Sequence, residues 1–91
     1  MKTKREIIEA LTQMKALVLT QQLEHPDDLR FPPLAKELDR VESRITSGWP
    51  LPKAFASDLR FGLFAVRELD DFPELSDQLC DLDRLLKASA V

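Results

Sequence analysis

Apolar residues recur along this chain at the spacing of a helix face. Ile7, Leu11, Met14 and Val18 fall at i, i+4, i+7 and i+11, with Ile8, Leu17 and Leu19 widening the stripe. Leu34, Leu38, Val41 and Ile45 repeat that spacing, and so do Leu75, Leu79, Leu82 and Leu86, joined by Leu85. The residues between these positions do not match, so the pattern marks three amphipathic helices and not a sequence repeat. Each stripe is too short to indicate a free coiled coil.

The least polar stretch, Lys53 to Leu69, predicts a fourth helix around which the others would pack. Phe55, Leu59, Gly62 and Val66 would share its narrow inward stripe, with Leu63, Ala65 and Leu69 beside them. Phe61 and Phe64 would then project from the opposite side, among Ser57, Arg60 and Glu68, where they are either covered by other helices of the same chain or stand as aromatic surface facing outward. Gly62 in mid-helix costs about 1 kcal/mol against alanine, which predicts a close approach of another backbone or large side chain there.

Prolines and caps divide these segments. Thr3 followed by Glu6 reads as a capping box opening a helix that runs to about Glu24, and His25-Pro26-Asp27-Asp28 ends it. Pro33 suits the first position of the second helix. Ser47-Gly48 closes that helix, with Gly48 expected in the left-handed conformation, and Trp49-Pro50-Leu51-Pro52 forms a stiff extended link. Asp71, with Glu74 three residues on, is expected to cap the last helix, which runs to about Ala88. The expected fold is all-α: a compact four-helix bundle-like domain spanning residues 1–91, with breaks near residues 26–32, 48–52 and 70–72.

Composition narrows the function. Only two glycines disfavour a turn-rich β fold. The net charge of −3 arises in residues 49–91, which hold five basic and eight acidic side chains, whereas residues 1–48 hold eight of each. An acidic half disfavours nucleic acid, which needs a basic stripe, and the row Lys36, Arg40, Arg44 is diluted by Glu37, Asp39 and Glu42. No apolar run is long enough for a membrane span, and the single Cys80 fits a reducing, cytoplasmic setting.

Catalytic and metal chemistry lack their constellations. One histidine and one cysteine make no zinc site, and the acids after Glu68 do not follow a calcium-loop pattern. His25 is the only general-base candidate for a nucleophile, and it precedes a proline at a helix end. Neither glycine belongs to a phosphate loop. These residues predict a protein that is not an enzyme and carries no cofactor or metal.

What remains is surface. Glu68, Asp70, Asp71, Glu74, Asp77, Asp81 and Asp83 are seven acids with no base among them. The sequence therefore predicts a non-catalytic protein-binding module that docks on one basic protein partner. Trp49, Phe61 and Phe64 would be apolar anchors, with Glu68, Asp70, Asp71, Glu74, Asp77 and Asp81 as an electrostatic rim. The class-level analogy is to small acidic helical immunity-type inhibitors. The alternative is a chaperone-like or structural homodimer whose exposed aromatics pair two copies.

Overall fold

A computed structural model describes residues 3–90; residues 1, 2 and 91 of the expected domain lie outside the described residues. Four helices carry the architecture: α1 (Lys4–Glu24), α2 (Phe31–Ser47), α4 (Phe61–Glu68) and α5 (Pro73–Ser89), with a five-residue helix, α3 (Lys53–Ser57), preceding α4. Among the described residues there is no strand. The three apolar stripes are the core: all twelve seam residues of α1, α2 and α5 are at most 6% exposed. Thr3 caps α1 as expected, its Oγ1 accepting from the Glu6 N–H at 3.2 Å.

The stretch from Lys53 to Leu69 is two helices, not one, and it is not the centre of the fold. Leu59 and Phe61 are both 2% exposed. Residues two apart on a continuous helix diverge by about 200°, so one helix cannot bury both in the same core. The chain breaks at Asp58–Arg60, sends Leu59 inward from the link, and restarts with Phe61, Ala65 and Leu69 as the buried stripe. That rotation turns Val66 and Leu63 outward, to 70% and 43% exposure, against their expected place in the core. It also buries Phe61, in line with the reading in which other helices of the chain cover that ring and against the reading of it as outward-facing surface.

The helix that meets most neighbours is α5, which packs on α1, α3 and α4. Its Leu75–Leu79–Leu82–Leu86 seam faces the core, and a second row of smaller side chains faces α4. Ser76 donates to the Ala65 carbonyl at 3.2 Å, and the Cys80 thiol lies 4.0 Å from the Gly62 carbonyl. Asp83, 8% exposed, closes this row beside the first turn of α4, where the positive helix end favours a carboxylate. A Cβ on Gly62 would stand 3.1 Å from Asp83 Oδ2, so the expected close approach is present, although Gly62 is the second residue of α4 and not mid-helix. Lys87 Nζ holds that oxygen at 3.0 Å, while Oδ1 has no hydrogen-bond partner among the described residues.

Helix α1 is antiparallel to α2, and Lys15 bridges them with Nζ 2.7 Å from Asp39 and 3.1 Å from Glu42. The two carboxylates raise the Lys15 pKa, Asp39 foremost. At the end of α2, Gly48 is extended (φ −169°, ψ 125°) and not left-handed. The chain leaves directly into the proline-held link so that Leu51 reaches the core, where it is fully buried.

Arg30 joins the two loops at one end of the bundle. Its guanidinium binds Asp28 (Nε–Oδ1 2.9 Å, Nη2–Oδ2 2.6 Å) and Asp71 (Nη1–Oδ1 2.8 Å), and donates to the Glu68 carbonyl. It lies 5.2 Å from the Phe72 ring centre and 5.7 Å from that of Phe31, and Phe72 meets Phe31 and His25 edge-to-face, each at 5.5 Å. Asp71 therefore does not cap α5. The residue before that helix is Phe72, whose ring has no oxygen to offer as a cap, and the Asp71 carboxylate is turned to Arg30.

Two outcomes follow from this packing. Phe61→Ala is expected to cost about 3–5 kcal/mol, as a buried aromatic truncation, whereas the half-buried Phe64→Ala costs about 1 kcal/mol. Urea unfolding of both variants measures the difference, and equal losses would place both rings in one environment. The second outcome concerns acid. Arg30 hydrogen bonds hold the Asp28 pKa at about 2 and also lower that of Asp71. An unfolded aspartate takes up its proton near pH 4, so the unfolded chain binds more protons as pH falls from about 4 towards 2, and the stabilisation fades across that window. Asp28→Asn should flatten the fall of the urea midpoint between those pH values; an unchanged slope would show that the clasp does not contribute.

Candidate functional site

The expected anchors and rim do not form one surface. Phe61 is core and unavailable to a partner. Trp49 packs half-buried against the core in the α2–α3 link. Phe64 is half-buried and lines a cavity of about 190 Å³ between α2 and α4, with Pro33, Leu34, Glu37, Arg40, Asp58 and Arg60. No residue of the proposed acidic rim lines this cavity, and its mixed charges give it no dominant sign. Arg40 is engaged with Glu37 and lies 4.9 Å over the Phe55 ring, with Arg44 5.7 Å from the same ring. The basic row of α2 thus covers an aromatic instead of standing free.

The acids lie elsewhere, and they are not equivalent. Glu68, Asp70, Asp71, Glu74, Asp77 and Asp81 are all exposed, and Asp83 is buried. Asp71 is held by Arg30, Asp81 by Arg84 at 3.0 Å, and Asp83 by Lys87. Glu68, Asp70, Glu74 and Asp77 have no ion pair among the described residues, which leaves their charge uncompensated. On α5, Glu74, Asp77 and Asp81 follow i, i+3, i+7 and share a flank away from the α4-facing row.

That flank borders the seam between α1 and α5, where the helices approach less closely than α1 does α2. Three cavities of about 320, 150 and 380 Å³ run along it. All three are lined by Gln78, so they form one groove. Its floor is apolar, from Leu17, Leu75, Met14, Leu82 and Leu85, and its sides carry Gln13, Gln21, Glu74 and Asp81. No lysine or arginine lines any of the three. The Gln13, Gln21 and Gln78 amides make no hydrogen bond among the described residues, and so remain open to a ligand. From sequence, Leu17 and Leu85 read as widening the core, and nothing in the period marks a glutamine as the wall of a groove.

His25 makes an edge contact with Phe72 and hydrogen-bonds through its ring to no Ser, Thr or Cys among the described residues. Among the described residues no group of three or more His, Cys, Asp or Glu side chains is placed to hold a metal ion, and no helix is long and apolar enough to cross a membrane. No family model, curated protein or solved structure matches this chain.

Proposed function

We propose that the chain is a non-catalytic protein-binding module that docks stoichiometrically on one basic protein partner, in the manner of a small immunity-type inhibitor. The observation that carries this reading is the α1–α5 groove, which has an apolar floor, open amide sides and acids but no base. An apolar centre with a charged edge is the usual anatomy of a protein contact, and uncompensated acids accelerate the approach of a cation-rich surface. Nucleic acid fits poorly, since Arg30 is enclosed by two aspartates and Arg40 and Arg44 lie over Phe55. The one thiol, half-buried Cys80, suits a reducing, cytoplasmic setting.

A homodimer is the second reading, favoured by Leu19 and Leu23, one turn apart on α1 and 56% and 75% exposed. Tagged full-length chain incubated with lysate of its own cells, together with sedimentation across concentration, separates the two. The expected result is one protein retained in near-equimolar amount. Asp77→Lys with Asp81→Lys should lower its association rate about tenfold while changing stability by no more than about 0.5 kcal/mol. A concentration-dependent dimer that retains no other protein would overturn the first reading.

A further inference from the structure

We infer that the occupant of the α1–α5 groove is a basic amphipathic helix of the partner, laid along both helices over about three turns; this rests on the protein-binding reading above. The shape favours a helix. The groove runs between two antiparallel helices from Gln21 to Ala10, a span of about 16 Å at the helical rise, and offers no free strand edge to extend. Its apolar floor suits a ligand with one apolar stripe, the i, i+3, i+4, i+7 anchoring by which helices enter such grooves.

The charge fixes the sign of the flanks. A helix lying on Leu17 and Leu85 passes Glu74 at one end and Asp81 at the other, with Gln78 midway, and meets no cation on the way. Among the described residues Glu74 has no ion pair, and Asp81 shares its charge with the exposed Arg84 alone. Lysine or arginine on the occupant's edges would gain these acids, whereas acidic edges would meet like charge across an apolar floor of low dielectric. The same sign disfavours a second copy that lays its α5 on α5 here, because that two-fold contact would set Glu74 and Asp81 of each chain towards the acids of the other. Gln13 and Gln78 complete the recognition, with amides able to donate to or accept from polar side chains at the edge of the apolar stripe.

The test uses two synthetic 18-residue helical peptides of identical leucine pattern, one with lysine and one with glutamate at every flanking position. Each is titrated into the full-length chain by fluorescence anisotropy, with amide NMR shifts to locate it. The lysine peptide should bind with shifts centred on Gln13, Leu17, Gln78 and Leu85, and the glutamate peptide should bind at least tenfold more weakly. Gln78→Lys with Asp81→Lys should weaken the lysine peptide tenfold or more, while Phe64→Ala leaves it unchanged; thermal melts of each variant confirm folding. No binding of the lysine peptide, shifts centred on Phe64 and Arg40, or equal affinity for both peptides would each overturn the inference. If any of these occurs while the chain still retains its partner stoichiometrically, the groove assignment fails and the protein-binding reading stands; if no partner is retained either, both fail.

Discussion

Leu59 and Phe61 both enter the core, and much of the second half of the chain follows from that requirement. A continuous helix over residues 53–69 could bury only one of them, so the backbone breaks between them and α4 restarts in a new rotation. Transfer of the two side chains from water is worth about 1.5–3 kcal/mol each, more than a few helical hydrogen bonds that water or a turn can replace. In the new rotation Ala65 and the Gly62 backbone face α5, which lets the two helices approach through small groups and places Asp83 at the mouth of α4. Val66 is left facing outward by the same turn.

With α4 held on one side of α5, the other side is free to be acidic. One helix thus carries three surfaces: a leucine seam for the core, the row Ser76, Cys80, Asp83 for α4, and the flank Glu74, Asp77, Asp81 beside α1. The proposed binding surface moves accordingly. Phe64 belongs to the α2–α4 side, where arginines and acids alternate, and the acids belong to the α1–α5 side, where the apolar floor is made of leucines and a methionine. An electrostatic rim can only assist binding at a centre it surrounds, so the centre proposed above lies beside Leu17 and Leu85 and not at the aromatics.

The three regular seams were legible from sequence because each repeats one period for long enough that only one face can be apolar. At Gly62 a close contact was expected and Asp83 makes one, but the mid-helix cost from which it was read does not apply at the second residue of α4. The central stretch misled because it is apolar on too many sides for a period to choose the face, and the deciding spacing, Leu59 to Phe61, is a strand-like step inside a helical context. Asp71 misled for want of any local sign. Its aspartate–glutamate spacing fits a capping box, yet Arg30, remote in sequence, offers two N–H groups and two aromatic neighbours in exchange for one cap hydrogen bond. Only tertiary structure brings that competitor within reach.

The Arg30 clasp bears on the groove as well as on the fold. Asp71, Phe72 and Glu74 line the end of the groove nearest the clasp, and Phe72 is the residue that Arg30, Phe31 and His25 all hold in place. The start of α5 is thereby tied to the loop joining α1 and α2, so the separation of α1 and α5 at that end is set by a charged and aromatic junction more than by leucine packing. Towards the other end, Ala10, Leu82 and Leu85 give the same gap an apolar floor, with Gln13 and Asp81 at its sides. The Phe72 ring is thus held by contacts within the chain, while the Glu74 carboxylate beside it is exposed and has no ion pair among the described residues.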